Sequence, residues 1–112
     1  MNPLVILLAC LTLEIPSAQV KRVHDGDTFT LYSVGFTNEE QVRVLGVNTP
    51  ELGTGPAADS ATAFTRRWLA AGPFSISVCK REKYGRLLAA VTRNGKNLAD
   101  TLITLHLGVK DP

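Results

Sequence analysis

The chain has 112 residues, a length that suits one domain with one functional site. Hydrophobic residues make up 45% of the chain and charged residues 20%, which excludes a disordered, collagen-like or coiled-coil protein. The formal net charge of +2 is too small to indicate a nucleic-acid partner by itself. The positions of the charges therefore carry more information than their sum.

An uncharged apolar run occupies residues 4–13. It has the length of a signal-peptide core and is too short for a membrane-spanning helix, which needs about 20 residues. We therefore divide the chain into an apolar segment, 1–18, and a domain, 19–112. If the segment is a signal, the protein is exported to the medium or the cell envelope. If it is instead a first strand or an arm of the domain, a cytoplasmic location is expected. A stable membrane span is expected in neither case.

The chain contains two cysteines, Cys10 and Cys79. Loss of residues 1–18 would remove Cys10, so no disulfide is expected in the processed chain. Cys79 has no neighbouring histidine or second cysteine that would complete a nucleophile pair or a metal site. The sequence therefore predicts that Cys79 is a buried or half-buried strand residue.

Five strands are predicted from alternating or apolar patterns, at residues 19–24, 28–32, 41–45, 74–79 and 87–92. The pair Asp25-Gly26 predicts a hairpin turn between the first two strands, because glycine accepts a positive φ. The pair Asn94-Gly95 predicts another turn after the fifth strand.

Two helices are also predicted. The first covers 56–71: Pro56 suits its first position and Gly72 would end it in a left-handed conformation. Its apolar stripe would be formed by Ala57, Ala61, Phe64 and Trp68. The second covers about 97–107, with Asn97 as its cap and Gly108 as its end. Its apolar face would be formed by Leu98, Leu102 and Leu105.

The order β-β-β-α-β-β-α favours an α+β protein built on a five-stranded OB-type barrel, with a helix at one end. A ferredoxin-like sandwich is the alternative. It requires a helix after the first strand, where this chain has a two-residue turn.

Acidic candidates for chemistry lie at strand ends. Asp25 and Asp27 flank a glycine, so their oxygens could converge on Ca²⁺ or Mg²⁺. The same residues could instead stabilise the turn through hydrogen bonds to the backbone. Glu51 follows Pro50, which stiffens the chain and suits a general base that positions a water molecule. A surface glutamate at the start of a loop is the alternative for Glu51.

Basic candidates are Arg43, in the middle of a strand, and Arg86, in a basic loop. A guanidinium offers paired N–H donors that fit two phosphate oxygens and stays charged at any relevant pH. The loop could equally hold a nucleic-acid backbone by charge alone. Its Lys80, Lys83 and Tyr84 are the candidate substrate contacts.

Taken together, these segments resemble the staphylococcal-nuclease-like (thermonuclease) family. The resemblance covers about residues 18–109 and is carried by five features in order: DGDT at 25–28, Arg43, TPE at 49–51, GPAADSATAFT at 55–65 and KYGR at 83–86. Each motif is short, but their common order and spacing make a coincidental match improbable.

The resemblance implies an OB-type fold and calcium-dependent hydrolysis of phosphodiester bonds in DNA and RNA. It assigns Asp27 and the Thr49 carbonyl to the metal, Glu51 to the attacking water, and Arg43 and Arg86 to the phosphate. Asp25 would act on the metal through its neighbours. The family has Asp where this chain has Asn48. An amide oxygen can bind Ca²⁺ but brings no negative charge, so we expect weaker calcium binding.

Two functions follow from these observations. The first is a monomeric, metal-dependent, sugar-nonspecific nuclease. The second is a catalytically weak nucleic-acid-binding or protein-interaction module of the same fold, which Asn48 favours. The joint presence of Arg43, Glu51 and Arg86 favours the nuclease, because a module without catalysis has no need for a base beside two phosphate-binding arginines.

Overall fold

The computed structural model describes residues 10–33 and 38–112. These residues form nine strands, two α-helices and one 3-10 turn at Ser17–Gln19. In chain order the helices and strands are β1 (Leu11–Ile15), β2 (Val20–Asp25), β3 (Thr28–Leu31), β4 (Glu40–Val44), β5 (Val47–Asn48), α1 (Pro56–Ala70), β6 (Phe74–Arg81), β7 (Leu87–Arg93), β8 (Lys96–Asn97), α2 (Leu98–Thr104) and β9 (Val109–Lys110).

Six strands lie side by side in the order β1-β6-β7-β4-β3-β2, with β8 paired to β7. The pairs are antiparallel except β4 with β7, which is parallel. The strands β5 and β9 form a separate antiparallel pair. The prediction of a β-sheet with two helices is confirmed. The pairings among the described residues leave β1 and β2 at the sheet's ends, so the sheet is open and not closed into the predicted barrel.

The strand β1 lies within the segment that the sequence set apart from the domain. It pairs with β6 from Leu11 opposite Val78 to Ile15 opposite Phe74. One residue further along, Cys10 and Cys79 form a disulfide, with their Cα atoms 4.2 Å apart. The expectation of no disulfide applied to a chain without residues 1–18; in the chain that keeps Cys10 the two cysteines are bonded. The prediction that Cys79 is buried or half-buried is wrong, because Cys79 is exposed. The part of the apolar run at 4–9 lies outside the described residues. No helix in the described part of the chain is long and apolar enough to cross a membrane.

The core lies between the sheet and the two helices. The helix α1 packs against β2 and α2 packs against β7. Phe29 and Phe74 meet edge to face in this core, with ring centroids 6.0 Å apart. Its largest fully buried side chains include Phe29, Phe74, Leu31, Leu69, Ile76, Leu98 and Leu102. Burial of these apolar side chains is the main stabilising contribution that fixes the sheet against the helices.

The buried face of α1 differs from the predicted stripe. It consists of Ala58, Ala61, Thr62, Thr65 and Leu69, whereas Ala57 is exposed and Phe64 and Trp68 are only half-buried. Two of the five buried residues are threonines. Thr65 can be buried because its hydroxyl has a partner in the core: it donates to the carbonyl of Gly26 at 2.7 Å. A search for apolar spacing cannot find such a face.

The helix ends are partly as predicted. The Asn97 side chain caps α2 by accepting from the Asp100 N–H at 3.1 Å, which confirms its predicted role. Gly72 has no positive φ, so the predicted left-handed end of α1 is wrong. The helix α2 ends at Thr104, before Gly108, and His106 beyond it has a φ of 60°. Leu105 lies beyond the end of α2 and is 49% exposed, so it is not part of the buried face.

Candidate active site

Asp27 is the most constrained acidic residue of the candidate site. It is 6% exposed at the turn between β2 and β3. Its Oδ2 accepts from the Thr49 backbone N–H at 2.9 Å, and its Oδ1 accepts from the Thr28 hydroxyl at 2.9 Å. Its backbone carbonyl accepts from the Val44 N–H at 2.8 Å. These bonds fix the Asp27 carboxylate between the β2–β3 turn and the segment that follows β5.

Gly26 allows this close approach. A Cβ at residue 26 would lie 2.7 Å from Cγ2 and 2.8 Å from Oγ1 of Thr49, and 3.0 Å from the Ala61 Cβ. Gly26 is not among the residues with positive φ. The predicted turn is present, but the glycine is needed for space rather than for a left-handed backbone.

Asp25 lies beside Asp27, and the negative charge of each carboxylate acts on the other. The Asp25 Oδ1 accepts from the Asp27 backbone N–H at 3.1 Å. Burial is the main cause that raises the pKa of the Asp25 carboxyl to about 6; the side-chain hydrogen bond and the negative charge of Asp27 also raise it, whereas the hydrogen bond from the Asp27 backbone N–H lowers it. Two carboxylates held this close disfavour joint ionisation, so a positive charge between them would be stabilised.

The Arg43 side chain lies at the same end of the sheet as Asp27 and the β2–β3 turn. Its side chain is 13% exposed, and its Nη1 lies 3.6 Å from Oδ2 of Asp27. The same nitrogen donates to the carbonyls of Val44 at 2.9 Å and Val47 at 2.7 Å. Its Nη2 donates to Oδ1 of Asn48 at 2.6 Å. Arg43 therefore joins β4, β5 and the acidic turn.

Asn48 and Asp111 complete this network. The Nη2 of Arg43 also lies 3.5 Å from Oδ2 of Asp111, and Nδ2 of Asn48 donates to Oδ1 of Asp111 at 3.4 Å. Asp111 follows β9, whose pairing with β5 brings it to Arg43. Its backbone N–H donates to the carbonyl of Gly46 at 3.1 Å.

Arg86 is organised by Glu82 in the β6–β7 loop. The Nη2 of Arg86 donates to Oε2 of Glu82 at 3.0 Å, and the N–H groups of Arg86 and Tyr84 donate to Oε1. The hydrogen bond from Arg86 lowers the pKa of Glu82 to about 2. That bond also raises the pKa of Arg86, and the negative charges of Asp27 and Asp25 add to the effect. The Nε of Arg86 is buried without a hydrogen-bond partner in the described residues.

The other predicted residues are exposed, and within the described part of the chain their side chains make no hydrogen bond or ion pair with the Asp27–Arg43 network; Tyr84 contacts Lys83 and Arg86. Glu51 is exposed, and its carboxylate makes no hydrogen bond or ion pair with the described residues, whereas its backbone carbonyl accepts from the Thr54 hydroxyl at 2.6 Å. Lys80 is also exposed. Tyr84 is 72% exposed, and Lys83 and Arg86 lie over its ring at 5.1 and 5.4 Å.

The structure thus brings Asp25, Asp27, Arg43, Asn48 and Thr49 into one hydrogen-bonded network and places Arg86 within electrostatic range of the two aspartates. The sequence profile of the staphylococcal nuclease homologue family matches residues 41–108, more than half of the chain. The chain belongs to this family.

Relatives with assigned names agree with the match. Over 98 residues, 80% of this chain, the sequence is 32% identical to the SPbeta prophage-derived endonuclease YokF of Bacillus subtilis (strain 168), and covers 32% of that protein. Over 79 residues, 64% of this chain, it is 37% identical to the Thermonuclease of Staphylococcus intermedius and covers 46% of that protein. The chain therefore spans about a third to a half of the length of these relatives. The resemblance drawn from the motifs is confirmed at the level of the family.

The oxygen donors of this staphylococcal nuclease homologue suit a calcium ion. Asp27 offers a fixed carboxylate, Asp25 a second one beside it, and Thr49 a backbone carbonyl and a hydroxyl that is buried without a hydrogen-bond partner in the described residues. Calcium prefers such hard oxygen ligands. Within residues 10–33 and 38–112, however, no three His, Cys, Asp or Glu side chains group as a metal site. The amide oxygen of Asn48 accepts a hydrogen bond from Arg43. The donor set fits a cation but is poor in negative charge.

Sequence reasoning missed two residues of the site, Glu82 and Asp111. Glu82 precedes Arg86 by four residues, and this spacing in a glycine-containing loop is a local signal of an ion pair. Asp111 lies 68 residues from Arg43, so only the pairing of β9 with β5 brings the two residues together.

Proposed function

We propose that this chain is a calcium-dependent nuclease that hydrolyses phosphodiester bonds in DNA, RNA or both. The observation that carries the proposal is the ion pair of Arg43 with the buried Asp27 carboxylate, whose negative charge, with that of Asp25, also raises the pKa of Arg86. Asp27 is 3.6 Å from Arg43, and its charge acts on Arg86. Two guanidinium groups and a buried and a half-buried aspartate would form a site for a phosphate and its counter-charge.

In this proposal Arg86 binds a phosphate oxygen through its free Nε, because a buried donor without a partner is costly and gains most from a ligand. Arg43 supplies a second guanidinium that stabilises the negative charge developing on the phosphate. Glu51 accepts a proton from the attacking water, since its carboxylate is exposed and makes no hydrogen bond with the described residues. Lys80, Lys83 and Tyr84 contact the nucleic acid beside the reacting phosphate.

Asp27, the Thr49 carbonyl and Asn48 are the proposed calcium ligands, with Asp25 acting beside them. When bound, Ca²⁺ would neutralise charge on the phosphate oxygens. Because Asn48 brings no charge, we expect saturation only at about 10⁻⁴–10⁻³ M calcium.

The test uses the full chain with its disulfide intact, since β1 belongs to the sheet and Cys10 is bonded to Cys79 of β6. Single-stranded DNA and RNA are incubated with Ca²⁺ or with a chelator, and products are followed on denaturing gels. We expect cleavage with calcium only and a loss of at least about 100-fold in turnover for Glu51→Gln. Glu14→Gln, on the opposite edge strand β1, is the matched control. Absence of cleavage by the folded protein at all calcium concentrations would reject the proposal.

A second function is favoured by one observation. The amide of Asn48 stands where the family has a carboxylate, and it is hydrogen-bonded to Arg43. A chain that binds nucleic acid or protein without cleaving would show this pattern. Binding of labelled oligonucleotides at any calcium concentration, without products, would support this function.

We also propose that the protein is an exported monomer that keeps Cys10 and β1, so that residues 10–18 are not removed with a signal segment. The Cys10–Cys79 disulfide supports an oxidising compartment, where such bonds persist. Cell fractionation and gel filtration test location and oligomeric state separately.

A further inference from the structure

Asp111 reaches the candidate site through its backbone. Lys110 pairs with Val47 and Val109 pairs with Asn48, and the Asp111 N–H donates to Gly46 at 3.1 Å. These backbone contacts fix the position of Asp111 independently of the contacts of its side chain. The Asp111 carboxylate therefore stands next to the Arg43 guanidinium as a consequence of the fold.

Most N–H donors of Arg43 already have hydrogen-bond partners within the protein, so few are available to a substrate. Arginine has five N–H donors, four of them on the terminal nitrogens. The Nη1 donates to two backbone carbonyls, and Nη2 contacts Asn48 at 2.6 Å and Asp111 at 3.5 Å. The carbonyls are fixed by the strands. The Asp111 contact is the longest of the four, and its side chain is 37% exposed. Asp111 is therefore the partner that a ligand can displace most easily.

Asn48 makes this position suitable for an anion. Its Nδ2 donates to one carboxylate oxygen of Asp111 while Arg43 approaches the other. A carboxylate and a phosphodiester each present two oxygens and one negative charge, so the same pair of donors suits both. An aspartate at residue 48 would offer no donor there.

We propose that the Asp111 carboxylate is an internal ligand that occupies, on Arg43 and Asn48, the position of a substrate phosphate and thereby sets the affinity for nucleic acid. The inference rests on the proposed function and extends it to the C-terminal residues. Asp111 is a positioning residue in this scheme and takes no part in the chemistry.

Asp111→Asn tests the proposal, because it removes the charge and leaves the β5–β9 backbone pairing intact. Binding of fluorescein-labelled hexathymidylate is measured by anisotropy in excess chelator, and binding of inorganic phosphate by NMR titration. Both dissociation constants should fall by at least about threefold, the effect of a partly exposed ion pair. Asp100→Asn is the matched control. It removes one charge from the same cavity without touching Arg43, so it should change neither constant by more than the experimental error.

Unchanged or weaker binding by Asp111→Asn would overturn the proposal, as would equal tightening by Asp100→Asn. Failure of every variant to bind either probe would overturn both this inference and the proposed function. If Asp111→Asn binds phosphate more tightly but no variant cleaves nucleic acid, the role of Asp111 stands and the nuclease proposal fails. If all variants cleave, an unchanged KM for Asp111→Asn again contradicts the internal ligand.

Discussion

Gly26→Ala tests the contact that joins the acidic turn to Thr49. The new Cβ would lie 2.7 Å from the Thr49 methyl group and 3.0 Å from the Ala61 Cβ. Carbon atoms pack favourably at about 3.5–4.0 Å, so the turn, Thr49 or α1 must move. Overpacking of this kind costs about 1–3 kcal/mol of unfolding free energy. For a domain near this size, each kcal/mol lowers the melting temperature by about 4–8 °C.

The assay is urea unfolding of the disulfide-bonded protein, followed by fluorescence of its single tryptophan, Trp68. Gly72→Ala is the matched control. Gly72 has no positive φ and its nearest neighbour would be 3.8 Å from the new Cβ, so the change should be within about 0.5 kcal/mol. Adding Thr49→Ser to Gly26→Ala removes the closest methyl group and should recover part of the loss. A loss below about 0.5 kcal/mol for Gly26→Ala alone would refute the argument from close approach.

Three further changes give independent tests. Cys79→Ser removes the disulfide with Cys10, which closes a loop across a sequence separation of 69 residues and restricts the unfolded chain, so the unfolding free energy should fall by about 4 kcal/mol. Reduction of the wild type should have the same effect. A smaller change in both would contradict stabilisation through the unfolded chain. Glu82→Gln removes the partner of Arg86. Because the pKa of Glu82 is lowered to about 2, its carboxylate stabilises the fold above the ordinary glutamate pKa, and this contribution is lost as pH falls towards 2. The melting temperatures of wild type and variant should therefore differ at pH 7 and converge near pH 2, and a constant difference would exclude this role. Asn48→Asp adds a charge to the proposed calcium site, so calorimetry should show tighter calcium binding; an unchanged affinity would place residue 48 away from the cation.

Elements with a local chemical signal could be predicted from the sequence. Pro56 begins α1 as expected, Asn97 caps α2, and Asn94 and Gly95 adopt the positive φ values of a two-residue turn. In each case the residues that determine the structure lie within a few positions of one another, so no knowledge of the tertiary fold is needed.

Features that depend on distant partners could not be predicted in this way. The apolar run at 4–13 matches a signal-peptide core, but its last three residues belong to β1, where Leu11 pairs with Val78 and Leu13 with Ile76. The disulfide follows from that register and not from the spacing of the two cysteines. The buried face of α1 likewise depends on a carbonyl of Gly26, which makes Thr65 a core residue despite its polarity.

The candidate site also contains both kinds of feature: residues that local motifs identify and contacts that depend on distant partners. The family motifs were sufficient to select Asp27, Arg43 and Arg86; the structure pairs Arg43 with Asp27, and the charges of Asp27 and Asp25 raise the pKa of Arg86. The motifs do not show how strongly each arginine is already engaged. That property depends on Glu82 within the loop and on Asp111 after β9.

This difference separates the roles of the two arginines in the proposed reaction. Arg86 keeps a buried Nε without a hydrogen-bond partner in the described residues, and its orientation is set by Glu82. Its Nε can therefore donate to a phosphate oxygen without breaking an existing hydrogen bond. Arg43 has contacts on both terminal nitrogens and must exchange one of them, with Asp111 as the most distant of the four partners. A substrate would thus engage Arg86 first and gain Arg43 only at the cost of displacing the carboxylate. The interactions of Arg43 are then largest when negative charge accumulates on the phosphate, which is the condition for lowering a reaction barrier rather than tightening ground-state binding.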